Sequence, residues 1–442
     1  MAPLRSISEL ASIIERNSRT IEDGLKGSPG AQFSFALGAP PQIDMPPPLE
    51  TTRSELLETL DELRARLLGP LGYLMVSIFP TPALTAIFQT LYEFDIASHV
   101  PISPEGEISY KELAQRCGIP EDETRRIVQA AVAFRVFEEV TPDVSVRHNA
   151  LSSALTNPQI KDLLGLFIDD QLSGASKIVE SIRRFPGTGE PGHSASVLSF
   201  REKKAIRVSG IGKEEITEPS KTLFDYMAED EKRVARFRSA MGMSTKSLAF
   251  RSTFFVDNLP WTDKNKCPET VVDIGGAGGE VCQLVLRSHA HVKKAVVLDL
   301  PEVVADAKVP EDLEGRLEYA SYNFLTEKVT LQADAYIFRH IFHDWSDKYG
   351  AKILKNLVPA LKKGTKIWLS EVVLPNLSDN NRTKDQMQRS ADIFMMAGFN
   401  GKERSRSGWE TLLAAADKRF RIVNIIRPDG AHDSVIEIVF DG

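Results

Sequence analysis

Cysteine is scarce in this sequence. Only Cys117, Cys267 and Cys282 occur in 442 residues, and none belongs to a CxxC pair. That usage excludes a disulfide scaffold and a cysteine-built zinc site, and it suits a reducing compartment. Charge of one sign is also lacking. The formal net charge is -7, so the chain has no basic excess to offer a nucleic acid. No apolar run reaches the length expected of a membrane span. The stretch "MAPLRSISELASII" lacks the continuous apolar core of a secretion signal. The expectation is a cytoplasmic protein whose partners include neither membrane nor nucleic acid. What is present is ordinary for a globular chain, with 42% hydrophobic and 26% charged residues, in a length that allows two or three cored domains.

Residues 7–25 read as a short amphipathic helix. The stretch after them, "KGSPGAQFSFALGAPPQIDMPPPLE", carries too much proline and glycine for regular structure, which gives an amino-terminal arm over 1–50. Residues 51–180 are mainly helical. Within them 109–139 resemble a helix–turn–helix broken at Gly118-Ile119-Pro120, with Ile127, Ala131 and Phe134 on one apolar face and a plausible wing after it. Its 5 basic residues are outnumbered by 6 acidic ones, the wrong balance for a helix that faces phosphates. The reading is therefore a winged helix used for packing or dimerisation. Residues 181–250 contain the Gly-, Pro- and Ser-rich stretch 185–222, expected as a long surface loop or lid with His193 solvated, and then connecting helices.

From about 251 to 442 short β-branched runs alternate with helical ones: "TVVDIGG", "KAVVLDLP", "ADAYIFRHI", "TKIWLSEVV", "RFRIVNIIRP" and "SVIEIVF". That alternation indicates an α/β fold with a mostly parallel, Rossmann-like sheet. The last two runs are separated only by "DGAHD" and should pair as an antiparallel hairpin. Leu354, Leu357 and Leu361 make one helical stripe that Gly364 can cap.

"VVDIGGAGGEV" follows a buried run and opens a helix. A glycine turn lets a ligand approach the backbone, and the helix start offers free N–H groups. Asp299 ends the next run, placed to accept hydrogen bonds from ribose hydroxyls. The dinucleotide fingerprint would need glycine at 276, 278 and 281, but 281 is Val. The observed pattern, Asp273-x-Gly275-x-Ala277-x-Gly279, resembles the first motif of S-adenosylmethionine-dependent methyltransferases. His343, in "RHIFHDWSD", lies just past the fourth strand, Glu371 ends the fifth, and Glu403 precedes an amphipathic helix that Ser405 or Ser407 can cap, Ser407 forming a capping box with Glu410. In open α/β sheets these ends share one ligand-binding edge.

Together "VDIGGAGG", "VVLDLP", "RHIFHDWSD", "SEVVLP" and "NGKERS" resemble the plant-caffeate-type O-methyltransferase family, and within it the fungal branch typified by sterigmatocystin O-methyltransferase, over roughly residues 55–442. The resemblance implies an S-adenosyl-L-methionine-dependent class I methyltransferase domain, S-adenosyl-L-homocysteine as product, and an amino-terminal winged-helix domain that makes a homodimer. It assigns His343 as general base and Glu371 and Glu403 as the acids that hold it. It puts Asp273, Gly275, Gly276, Gly279, Asp299, Leu300, Asn323, Phe324 and Arg339 at the cofactor. Arg339 stands where plant enzymes have a lysine. Met241, Phe342, Asp344, Met395 and Phe399 fall on the acceptor side, facing a flat phenolic or enolic secondary metabolite of polyketide origin. Some fungal relatives of this type are pericyclases or dehydratases that keep the methyl group, which is the rival reading.

The residues suit the chemistry. A phenol against a free imidazole leaves ~3.5 pKa units, or about 5 kcal/mol, of uphill proton transfer. Paired carboxylates favour the imidazolium and shrink that gap. No metal is expected, because the eight histidines form no metal-binding helical pair with an acid between. His340 and Trp345 read as structural. One departure concerns the adenine: where the family carries an acid after the third strand, this chain has Tyr322 or Asn323.

Overall fold

The computed structural model describes residues 5–27, 34–43, 45–209, 221–244, 247–261, 267–376 and 382–442. The chain forms two compact units. One comprises Met1–Leu172 with Asp230–Ser244, and the other Ser173–Glu229 with Thr245–Gly442. The 181–250 stretch is thus divided between them.

In the first unit the helix Ile7–Gly24 starts at a capping box. Ser6 accepts from the Glu9 N–H, and the Glu9 carboxylate accepts from the Ser6 N–H. Its Ile21 packs with Leu25 and Met45. A helical run over Pro47–Ile78 follows, broken at Gly69, where φ is 66° and ψ is 171°. Pro70 disfavours the α conformation in the residue before it, and glycine takes the positive φ without a Cβ penalty. The helix Pro80–Glu93 comes next.

This region corrects one expectation. By length and composition the stretch Pro48–Glu93 is long and apolar enough to cross a membrane. Its glycines, prolines and threonines interrupt any continuous apolar run. Yet no charge occurs from Leu67 through Tyr92, and that lifts the mean hydropathy.

The helix–turn–helix expectation matches helices Tyr110–Cys117 and Glu121–Ala133, with Gly118 left-handed between them. Strands β1 (Glu107–Ser109), β2 (Phe137–Thr141) and β3 (Ser145–His148) form an antiparallel sheet in the order β1-β3-β2. The second helix buries Thr124, Val128 and Ala131. Phe134 is not on that face. The chain reverses through Arg135 at φ 63°, which turns Phe134 outward.

The second unit is built on seven strands. These are β4 (Thr270–Ile274), β5 (Lys294–Asp299), β6 (Leu317–Ser321), β7 (Ala335–Arg339) and β8 (Lys366–Glu371), then, beyond the two-residue parallel pair β9 (Val373–Leu374) and β10 (Arg404–Ser405), β11 (Phe420–Ile426) and β12 (Ser434–Phe440). Their order is β11-β12-β8-β7-β4-β5-β6. From β6 to β8 every pair is parallel, and β12 is antiparallel to both neighbours; the short link before it foretold the pairing with β11. The strands are apolar on both faces because both are covered: Phe338, Phe342 and Trp409 lie in one core, and Trp261, Val285 and Trp368 in the other. Strand order reverses at β4, whose neighbours are β5 and β7. That reversal opens a crevice at the carboxyl ends.

Three local expectations change. The supposed loop 185–222 contains the helix Ala195–Ser209, which buries Val197, Leu198 and Phe200, while 210–220 lie outside the described residues. His193 is stacked on Phe185 at 4.0 Å rather than solvated. The helix Asp347–Leu357 ends before Pro359, so Gly364, at φ 86°, shapes a later turn instead of capping it.

Candidate active site

β7 ends at Arg339, and the chain turns through His340 and Ile341 into a short helical turn, Phe342–Asp344. Glu371, the last residue of β8, is fully buried and holds this turn. Its Oε1 accepts from the backbone N–H groups of Ile341 at 2.8 Å and Phe342 at 2.7 Å. Glu403 reaches the same place just before β10, and its own N–H donates to Asp392 at 2.8 Å.

The three assigned groups meet. His343 Nδ1 lies 3.2 Å from Glu403 Oε1 and 3.8 Å from Glu371 Oε2. On the other edge of the ring, Nε2 is 3.6 Å from Asp344 Oδ1. Burial works against a charged His343, but Asp344, Glu371 and Glu403 together hold its pKa well above the ordinary value. Burial raises the Glu371 carboxyl to about 7 and the Asp344 carboxyl to about 6, and the imidazole opposes both shifts.

A residue that sequence reading passed over completes the clamp. Arg404 is 2% exposed, and its guanidinium donates to the carbonyls of Phe342 and Trp345, each at 2.7 Å, and to Asp347 at 3.0 Å. Its position beside Glu403 in "KERS" was the available signal. Gly401 permits the close approach, since a Cβ there would fall 2.0 Å from the His343 carbonyl oxygen. The helix that follows is capped by Ser405, which accepts from Gly408 N–H, and Glu410 pairs with Arg406 rather than forming a capping box with Ser407.

The glycine turn sits at the carboxyl end of β4. Gly275, Ala277 and Gly279 all have positive φ, at 75°, 45° and 72°. Asp299, ending β5, ties the turn down: Oδ2 accepts from Ala277 N–H at 2.9 Å, and Oδ1 from Leu300 N–H at 2.7 Å. Each oxygen keeps a lone pair beyond these bonds. Asp273 lies beneath the turn rather than in the crevice. A Cβ on Gly276 would come within 2.6 Å of its carboxylate, and Cys282 Sγ approaches it at 3.8 Å. Burial raises Asp273 to about 7, and its Oδ1 has no partner. The turn also touches the His343 loop, since a Cβ at Gly275 would lie 2.4 Å from the Ile341 side chain.

The remaining expected residues divide. Arg339 donates to the Phe250 carbonyl at 2.7 Å. Asn323 spends its side-chain oxygen on Leu325 N–H, leaving its amide nitrogen free. Tyr322 is buried and donates to the Glu327 carbonyl, so of the two alternatives Asn323 keeps the free group. Phe324 is edge-on to Trp345, which packs in the core as expected. Phe342 belongs to the core, against Phe338 and Trp409, because the Glu371 clamp turns it inward; it is not an acceptor wall. Met395 and Phe399 lie on the helix Arg382–Phe399, with Phe399 stacked on Phe224 at 5.0 Å. Met241 falls in the first unit and is partly exposed. His340 is more than a filler: it faces Asp433 at 2.5 Å.

Comparisons with known proteins agree with this architecture. Residues 207–419 match a family model described as an O-methyltransferase domain. The chain is 30% identical over 443 residues to the grayanic acid biosynthesis cluster O-methyltransferase of Cladonia grayi, covering 99% of this chain and 88% of that one. It is 29% identical to O-methyltransferase kk1A of Curvularia clavata, covering 99% and 98%. Among solved structures, OxaC in complex with sinefungin and meleagrin superposes with a TM-score of 0.72 at 19% identity, over 98% of each chain, a likeness of fold. The chain belongs to the caffeate-type O-methyltransferase family.

Proposed function

We propose that this enzyme transfers a methyl group from S-adenosylmethionine to a phenolic or enolic hydroxyl of a small secondary metabolite. The observation that carries the reading is one imidazole held among Glu403, Glu371 and Asp344 at 3.2, 3.8 and 3.6 Å, on a loop that abuts the Gly275 turn. The names of the Cladonia and Curvularia relatives support the reaction class, and the first of them supports a biosynthetic acceptor.

The crevice fits the cofactor. The free lone pairs of Asp299 suit ribose hydroxyls, and Gly278 has open space where a side chain would project. Bound there, S-adenosylmethionine supplies an electrophilic methyl group on a sulfonium. The protein's own part is to position the acceptor hydroxyl and to hold its proton. Glu403 accepts a hydrogen bond from the Nδ1–H of His343, which leaves Nε2 to receive the proton of the acceptor. The surrounding acids raise the basicity of His343, closing part of the ~3.5-unit gap to a phenol. Glu371 and Arg404 fix the loop so that attack is in line, where positioning is worth the most.

The partner we propose is a second copy of the chain. Leu67, Leu71, Met75, Ile78 and Phe79 are exposed in the single chain, with Leu71 at 72% and Phe79 at 79%. An uncharged apolar surface of this kind suits a permanent homodimer interface. The setting is the cytosol, which matches three unpaired thiols. A membrane is the other occupant that composition allows, and light scattering with vesicle flotation separates the two.

The decisive experiment is incubation with methyl-labelled donor and a panel of polyketide phenols and enols. Label in the product supports the reading. A rearranged or dehydrated substrate with the donor recovered intact would replace it with the pericyclase or dehydratase alternative.

A further inference from the structure

A second histidine–carboxylate group stands beside the first, and methyl transfer as described does not use it. Asp433 immediately precedes β12, whose first residue, Ser434, pairs with Glu371 at the end of β8. The antiparallel course of β12 therefore brings Asp433 to the same sheet edge as the base. Its Oδ2 faces His340 Nε2 at 2.5 Å and accepts from Ser370 Oγ at 3.2 Å, while Oδ1 faces His432 Nδ1 at 3.1 Å. Burial opposes ionisation of Asp433, yet the two imidazoles hold it well below the usual carboxylate range. An ionised carboxylate accepts the Nε2–H of His340 and fixes the ring, and in the imidazolium form Nδ1–H remains to donate to another partner.

His340 is costly to place. Its φ is 54°, a left-handed conformation in a residue with a Cβ, held by a backbone bond from its N–H to the Ser370 carbonyl at 3.1 Å. The ring that results lies parallel to that of His343, at 6° and 5.7 Å between centroids. Phe250 packs edge-on to His340 and is stacked on His432 at 4.4 Å. The His340 side chain is 26% exposed, close to the 20% of His343. Two buttressed imidazoles thus stand side by side at one edge, each with an accessible portion.

We propose that His340, set by Asp433 and His432, is an acceptor-binding residue that, as an imidazolium, donates from Nδ1 to a carbonyl oxygen adjacent to the hydroxyl being methylated. The acceptor class this selects is an ortho- or peri-acyl phenol, or the enol of a 1,3-dicarbonyl. In such compounds the reacting oxygen and the carbonyl oxygen are conjugated, so charge that develops on one is shared with the other. Two neighbouring imidazoles match that pair of oxygens, whereas an isolated phenol would leave His340 idle. The inference rests on the methyl-transfer reading and deepens it.

The test uses two isomeric probes, 2-acetyl-1-naphthol and 4-acetyl-1-naphthol, with the full chain and S-adenosylhomocysteine present. Dissociation constants are measured by calorimetry, and KM and kcat are then measured with methyl-labelled donor. The native chain should prefer the 2-acetyl isomer. His340→Asn should cut the ratio of the two affinities about tenfold, as for loss of one hydrogen bond, and raise KM for the 2-acetyl isomer more than for the 4-acetyl isomer. Asparagine tolerates the left-handed backbone, so this variant should keep its fold, which a melting curve checks. Asp433→Asn should act in the same direction. An unchanged ratio in both variants would assign the group to packing and overturn the proposal, as would a native chain with no preference between the isomers or no binding of either. If the preference is seen but no label moves to either probe, the subsite stands and the methyl-transfer reading fails.

Discussion

The glycine turn and the His343 loop lie against each other at the carboxyl edge of the sheet, but they are built in different ways. The turn is a backbone device. Its positive φ values, its N–H groups and its missing Cβ atoms come from a few consecutive residues, and only Asp299 is brought from the next strand. The loop is a side-chain device. His343, Glu371 and Glu403 come from separate strand ends, and Arg404 and Gly401 allow them to meet. A backbone site tolerates change in its neighbours but not in its glycines. A side-chain site fails when any one contributor is lost.

The sharpest way to separate the two is to remove the proposed base. His343→Ala should lower methyl transfer by about 10²–10⁴-fold, the usual worth of a general base, with donor affinity by calorimetry unchanged. Equal loss of donor binding would show that the two halves are not independent. The turn should respond in the opposite manner. Gly276→Ala puts a Cβ against the Asp273 carboxylate, an overpacking expected to cost about 1–3 kcal/mol, read as a lower melting temperature together with weaker donor binding.

Protonation sharpens the comparison further. The Glu371 pKa is about 7 in the fold against an ordinary 4.5. The folded state therefore binds more protons, and the stability this gives is present below 4.5 and lost as pH rises to 7. Glu371→Gln cannot ionise and keeps an acceptor for the Ile341 and Phe342 N–H groups. Its melting temperature should gain on the native chain as pH rises through that window, and a constant gap would contradict the burial-driven shift. A smaller effect is expected from Ala277→Gly. Relief of a left-handed alanine is worth about 1 kcal/mol, partly offset by the freer unfolded chain, so a melting temperature raised slightly or unchanged is the outcome. The smallest is none at all: if methyl transfer uses no metal, dialysis against a chelator should leave the rate where it was, and a rate lost to the chelator would assign an ion to the His343, Glu371 and Glu403 cluster.

How much of this was legible depended on distance along the chain. The strands, the glycine turn and the closing hairpin follow from neighbouring residues, and they lie where hydrophobic runs and turn residues placed them. The helix Ala195–Ser209 was hidden because its glycine- and proline-rich approach and charged second half outweighed the short apolar run that it buries. Phe342 looked like a pocket wall beside His343, and only the clamp from Glu371 shows that it faces the core. His340 and Asp433 are 93 residues apart, and nothing near either one announces the other.

By itself the sequence determined the α/β order, the glycine turn with its strand-end acid, and which residue types could serve as base and acids, because periodicity and turn chemistry act over a few residues. The tertiary structure alone decided that Asp273 supports the turn from below, that Arg404 locks the base loop, and that a second imidazole stands next to the first. Each of these depends on sheet order and on burial, which bring distant segments within hydrogen-bonding reach and remove the water that would otherwise separate them.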